Sequence, residues 1–89
     1  MVHDMAPVKP INVLYIEDNF INVRLVRRML RQSPYQVAWA ESVQAGIAAA
    51  LDEHPDIFIL DMHIPEVSGY EALERIKEEA TLKSIPVII

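Results

Sequence analysis

Short apolar segments alternate with amphipathic segments along the chain, and this alternation predicts strands separated by helices. We predict strands at 11–16, 35–40, 57–60 and 86–89, which are apolar and rich in β-branched residues or alternate in polarity. Apolar residues at helical spacing predict helices over 20–31, from Ser42 to about His54, and from Ser68 to about Ala80. This β-α-β-α-β-α-β order is typical of a parallel α/β sheet with right-handed crossovers.

Polar residues that can cap a helix stand before each predicted helix. Asp18 or Asn19 can cap the first helix, Ser42 the second and Ser68 the third. The apolar residues at helical spacing are expected to face the core: Val23, Val26 and Leu30 in the first helix, Val43, Ile47, Ala50 and Leu51 in the second, and Tyr70, Leu73, Ile76 and Ala80 in the third.

Composition adds that the chain is one small acidic domain. Its 89 residues suffice for a single core, and its net charge of −5 argues against nucleic acid as the main partner. The absence of cysteine excludes disulfides and thiolate metal sites and fits a cytoplasmic location. No apolar run approaches the roughly 18 residues of a membrane span, and residues 1–9 are expected to be a short N-terminal tail.

Carboxylates follow two of the predicted strands directly. Glu17 and Asp18 come after 11–16, and Asp61 comes after 57–60. In an open parallel sheet the carboxyl ends of the strands form the edge where ligands bind. Three carboxylates that meet there would take up protons or attract a cation, and oxygen ligands are those of Mg²⁺. The sequence therefore predicts a divalent cation site, although the acidic pair without Asp61 would fit an ordinary helix N-terminus equally well.

Several segments together resemble the receiver domain of two-component response regulators. They are the acidic first-strand segment 13–19, the third-strand segment 55–62, Pro65 and Gly69 in the following loop, and the fourth-strand segment 85–89. The resemblance covers residues 10–89. It implies a flavodoxin-like doubly wound parallel sheet of order 2-1-3-4-5. It also implies that the domain is incomplete at its C-terminus, without the fourth helix, fifth strand and fifth helix.

The resemblance implies a role for each candidate site residue. Asp61 would accept a phosphoryl group from a histidine kinase or a histidine phosphotransfer protein. Asp18 and Asp61 would bind Mg²⁺ directly, Glu17 would assist through water, and the backbone carbonyl of His63 would be a further ligand. The chain would be a phosphoacceptor module of a phosphorelay and no enzyme beyond self-catalysed phosphoryl acceptance and autodephosphorylation. The family's Thr or Ser after the fourth strand and Lys after the fifth are not among these residues.

Two surfaces are candidates for contacts with other proteins. Four of the eight basic residues, Arg24, Arg27, Arg28 and Arg31, lie on the first predicted helix. They are either a solvated face or, as the resemblance implies, the surface on which the kinase or phosphotransfer protein docks. The apolar segment 86–89 would form an exposed sheet edge, through which the chain could self-associate.

Other functions compete with this interpretation. A degenerate or truncated receiver would act only as a protein-interaction module. The intact Glu17, Asp18 and Asp61 argue against it, and the missing C-terminal third of the domain argues for it. A phosphatase that forms an aspartyl phosphate usually needs a second acid two residues after its nucleophile, where this chain has His63. A flavin or nucleotide binder needs a phosphate-binding loop after the first strand, where Glu17 and Asp18 would repel the phosphate.

Overall fold

The computed structural model describes residues 9–64 and 67–89, which form a four-stranded parallel sheet with helical crossovers. The elements within these ranges are β1 (Ile11–Ile16), α1 (Phe20–Met29), β2 (Tyr35–Ala40), α2 (Val43–Glu53), β3 (Ile57–Leu60), α3 (Gly69–Glu78) and β4 (Val87–Ile88). The predicted elements and their order are confirmed. Helix α1 ends two residues before the predicted boundary, and β4 has two residues where four were expected.

The strand order is β2-β1-β3-β4, and every pairing is parallel. This is the flavodoxin-like order, in which the chain runs from β1 outward to β2 and then crosses to the opposite side to form β3. In the β1–β3 pairing, Ile16 lies opposite Leu60. Because the two strands end at the same level, the residues that follow them emerge side by side at the topological switch point.

The main core lies between the sheet and helices α2 and α3. Its fully buried large side chains include Ile16, Phe58, Leu60 and Ile76. Alternation along β1 turns Val13 to the opposite face of the sheet, where Val13 and the α1 residue Val23 are both buried. The sheet is therefore covered on both faces near β1, which explains why this strand is a continuous apolar run.

Serine and asparagine side chains begin the helices. The Asn19 side chain accepts a hydrogen bond from the Ile21 amide and caps α1, while Ser42 and Ser68 cap α2 and α3. Of the two candidates for the first cap, Asn19 therefore takes the position. Since Asp18 does not cap the helix, its carboxylate remains at the end of β1 for other interactions.

Three of the predicted core positions are wrong. Leu51 is 41% exposed, Tyr70 is 69% exposed, and Ala80 is exposed beyond the end of α3. The predicted core positions Val43, Ala50 and Ile76 are buried, and the small residues Gly46, Gly69 and Ala72 are buried beside them. A Cβ on Gly46 would lie 2.6 Å from Ile16 Cδ1. The small residues thus let both helices approach the sheet closely and rotate the larger ones outward.

Two further expectations concern the ends of the chain and the membrane. Residues 1–8, most of the predicted tail, lie outside the described ranges, as does Pro65 of the motif. Among the described residues, none of the helices combines the length and the apolar character that a membrane crossing requires.

Candidate functional site

Three carboxylates converge at the carboxyl ends of β1 and β3. One oxygen from each of Glu17, Asp18 and Asp61 lies within 4.8 Å of the other two. Backbone hydrogen bonds fix this arrangement, because the Asp61 amide donates to the Ile16 carbonyl at 3.1 Å and the Glu17 amide donates to the Ala40 carbonyl at 2.9 Å. The structure thus brings together the three acidic side chains that the sequence singles out.

The carboxylate of Glu17 is buried and fully provided with donors. Glu17 is 2% exposed. Its Oε2 accepts from the Asn19 amide at 3.1 Å, and its Oε1 accepts from Asn22 Nδ2 at 3.0 Å and from the Tyr15 hydroxyl at 3.2 Å. A buried carboxylate needs such partners. Glu17 is consequently held in one orientation within the cluster.

Sequence reasoning did not identify two of these donors. Tyr15 was part of the apolar strand, and Asn22 was a polar residue of the first helix. A usable signal was present, since a buried acid at a strand end requires donors, and Asn22 lies in the first turn of the helix that follows Glu17.

Neighbouring residues shift the pKa values of the acidic pair in opposite directions. Burial acts to raise the pKa of Glu17, but the hydrogen bonds from the Asn19 amide and the Asn22 side chain outweigh it and leave this pKa below its ordinary value. The pKa of Asp18 is raised, first by its hydrogen bond with Glu17, then by desolvation and by the charges of Glu17 and Asp61.

Tyr15 responds to the same negative charge. Burial, its hydrogen bond to Glu17 and the charges of Glu17 and Asp61 raise the pKa of the Tyr15 hydroxyl to about 12. The phenol therefore stays protonated at physiological pH and remains a donor to Glu17.

Asp61 is half-buried and begins a turn. Its Oδ1 accepts a hydrogen bond from the His63 amide at 3.1 Å. The His63 side chain is exposed, and ligation of a metal by its backbone carbonyl stays a prediction. At the start of α3, a Cβ on Gly69 would collide with the Met62 side chain, so a larger residue there would force this side chain to move.

The donor set suits a hard divalent cation. The cluster offers carboxylate oxygens alone, of the kind that Mg²⁺ and Mn²⁺ prefer. Its residues range from buried Glu17 to exposed Asp18, so one side faces solvent. The three carboxylates repel one another, and a bound cation would offset this repulsion. The residues present therefore fit Mg²⁺.

The arginine side chains of α1 and of the turn that follows it have two different environments. Arg27 is tied to its own chain, since Nε donates to the Val37 carbonyl at 2.9 Å and the guanidinium lies 5.8 Å from the centroid of the Phe20 ring. Arg24, Arg28 and Arg31 are exposed. All four arginines, Arg27 included, line a groove of about 480 Å³ together with Ile21 and Leu25, which are also exposed.

Comparison with known proteins identifies relatives of the chain. The family model described as the response regulator receiver domain matches residues 13–89. The polar-differentiation response regulator DivK of Brucella ovis is 35% identical over 77 residues, which are 86% of this chain and 63% of DivK. The chain thus spans somewhat less than two thirds of the length of this curated relative.

Solved structures share the fold. The phosphorylated cyanobacterial phytochrome response regulator RcpA is 32% identical with a TM-score of 0.71, and the match covers 88% of this chain and 62% of RcpA. The Mn²⁺-bound form of the response regulator Rcp1 is 30% identical with a TM-score of 0.73, and the match covers 88% of this chain and 63% of Rcp1.

Proposed function

The chain belongs to the response regulator receiver domain family, and we propose that it accepts a phosphoryl group on Asp61 in two-component signalling. The donor is a phosphohistidine of a histidine kinase or a histidine phosphotransfer protein. Mg²⁺ is the cofactor, bound by Asp18 and Asp61 with Glu17 close by and the His63 carbonyl as a further ligand. The chain acts as a signalling module in the cytoplasm, and its only chemistry is self-catalysed phosphoryl acceptance and autodephosphorylation.

One observation carries this proposal. Three carboxylates lie within 4.8 Å of one another at the switch point of a parallel sheet, and they differ in accessibility. Glu17 is buried and fixed, whereas Asp61 is half-buried and keeps access to solvent. A phosphoacceptor must be reachable by a large donor, and the cation ligands beside it must be held in place.

The residues of the chain define the transfer step. Asp61 Oδ1 already accepts the His63 amide, so we assign Oδ2 as the nucleophile. A bond forms between Oδ2 and phosphorus while the N–P bond of the phosphohistidine breaks, and the electron pair of that bond returns to the imidazole. Bound Mg²⁺ supplies positive charge that offsets the charge of the carboxylates and of the phosphoryl oxygens. Tyr15, Asn19 and Asn22 keep the Glu17 carboxylate in place beside the reacting group.

Relatives support the metal and the modification. RcpA is described in a phosphorylated form and Rcp1 in a Mn²⁺-bound form, and each is at least 30% identical to this chain. Extending these properties to the present chain is part of the proposal. The carboxylate cluster provides the ligands that such an extension requires.

We assign the docking surface to the exposed part of α1. Arg24, Arg28 and Arg31 surround the apolar side chains of Ile21 and Leu25, a combination that suits a partner with an apolar centre and an acidic rim. Arg27 lines the same groove, and its guanidinium also contacts Val37 and Phe20 of the same chain.

Labelling from two phosphodonors tests the proposal. Acetyl phosphate with Mg²⁺ should add one phosphoryl group that is sensitive to hydroxylamine, as followed by intact mass. Asp61→Asn should abolish it, and the exposed Asp52→Asn should label like the unchanged chain. Undiminished labelling of Asp61→Asn would contradict the assignment.

The second donor is a phosphorylated histidine phosphotransfer protein. Arg24→Glu combined with Arg28→Glu should slow transfer from this protein and leave acetyl phosphate labelling unchanged. Equal transfer rates would contradict the docking surface alone. A chain that binds the partner but takes a phosphoryl group from neither donor would be a protein-interaction module.

A further inference from the structure

An indole reaches the acidic site from a different strand. Trp39 Nε1 donates a hydrogen bond of 2.6 Å to the backbone carbonyl of Glu17, which is 22 residues earlier in the chain. Trp39 belongs to β2 and lies opposite Tyr15 in the β1–β2 register. This contact involves none of the carboxylates, and the proposed transfer step does not use it.

The indole completes a pair of contacts that hold Glu17 to β2. The Glu17 amide donates to the Ala40 carbonyl at 2.9 Å, and the Glu17 carbonyl accepts from Trp39. This carbonyl belongs to the peptide unit that leads into Asp18. Since a peptide unit is planar, fixing the carbonyl also fixes the direction in which the chain enters Asp18.

The position of the indole is itself fixed by α1. The Trp39 and Phe20 rings are 4.7 Å apart between centroids, at an interplanar angle of 44°. Arg27 lies over the Phe20 ring and binds the Val37 carbonyl of β2. A continuous series of contacts therefore runs from β2 through α1 to Trp39, and from Trp39 to the end of β1. A side chain supported in this way can impose an orientation on the residue it binds.

We infer that Trp39 is a positioning residue for the acidic site. Its indole sets the peptide between Glu17 and Asp18, and thereby the direction of the Asp18 carboxylate and the affinity of the site for Mg²⁺. The inference rests on the proposed function, because Mg²⁺ is the ligand by which it is measured. The indole should affect the affinity for Mg²⁺ by about as much as one hydrogen bond, because it preorganises the Asp18 carboxylate.

Calorimetric titration with Mg²⁺ tests this role. Trp39→Phe keeps an aromatic ring against Phe20 but removes the donor, and it should weaken Mg²⁺ binding by about three- to tenfold. Tyr35→Phe is the matched control, since Tyr35 is an exposed aromatic residue of the same strand. It should leave the affinity unchanged. Equal affinities for Trp39→Phe and the unchanged chain would overturn the inference. If the unchanged chain binds no Mg²⁺, the proposed function is contradicted as well.

The unchanged chain allows a second measurement that does not depend on the folding of a variant. Trp39 is the only tryptophan, so the ¹H–¹⁵N spectrum contains a single indole cross-peak. The indole proton should exchange slowly with solvent. Its cross-peak should shift during a Mg²⁺ titration, and the midpoint of this shift should equal the midpoint found by calorimetry. A peak that exchanges rapidly, or that stays in place at saturating Mg²⁺, would overturn the role of Trp39.

Discussion

Adjacent residues of the acidic pair have opposite environments. The Glu17 carboxylate is buried and accepts three hydrogen bonds, whereas Asp18 is exposed. The local path of the chain explains this contrast, because Glu17 still continues the β1 ladder through its amide while Asp18 already begins the turn into α1. The pair thus combines one fixed charge with one that is free to meet a cation.

Substitutions at the two positions should separate these properties. Asp18→Asn should weaken Mg²⁺ binding at least tenfold and raise the melting temperature without metal, because one charge leaves a repulsive cluster. Glu17→Gln should lower the free energy of unfolding by about 1–3 kcal/mol, because an amide cannot accept from all three donors. Calorimetry and urea unfolding measure the two effects. A Glu17→Gln chain as stable as the unchanged one would contradict the structural role of this carboxylate.

At the scale of elements, side-chain contacts hold α1 against β2. Arg27 reaches across to the Val37 carbonyl and covers Phe20, which in turn packs on Trp39. The other arginines of the helix make no such contact among the described residues. The basic face is therefore divided into one structural arginine and a group that is available to partners.

This division predicts unequal effects of two similar substitutions. Arg27→Ala should destabilise the fold by about 1–2 kcal/mol, through loss of a hydrogen bond and of a cation–π contact. Arg24→Ala, on the exposed face of the same helix, should change stability by less than about 0.5 kcal/mol. Urea denaturation of both variants measures the difference. Equal stabilities would show that the contacts of Arg27 contribute nothing measurable.

The elements themselves were largely predictable, because their signals are local. The bounds of β1, β2 and β3 follow from apolar runs and alternation, and the convergence of Glu17 and Asp61 follows from the parallel order. The contact of Trp39 with Glu17 could not be read from the pattern, since it depends on how β1 and β2 pair. Tyr70 was misplaced because helical spacing does not state which of two neighbouring faces turns inward.

At the scale of the whole chain, the described strands form a small sheet with two edges. Among the described strands, β2 forms one edge and β4 the other, and β4 pairs only with β3. Ile88 and Ile89 are each 53% exposed. An apolar strand with unpaired backbone groups is a template for another chain, and a sheet of this size has little stability in reserve.

We therefore predict that the chain self-associates through the segment 86–89. Sedimentation velocity over a range of concentrations should show an average mass that rises with concentration. Ile88→Lys should reduce this rise, because a charged side chain on an edge strand opposes pairing. Ile21→Lys is the matched control, since it places the same charge at an exposed isoleucine of α1, away from the edge. A chain that stays monomeric at all concentrations, or equal association of both variants, would contradict an edge interface and leave the acidic site unaffected.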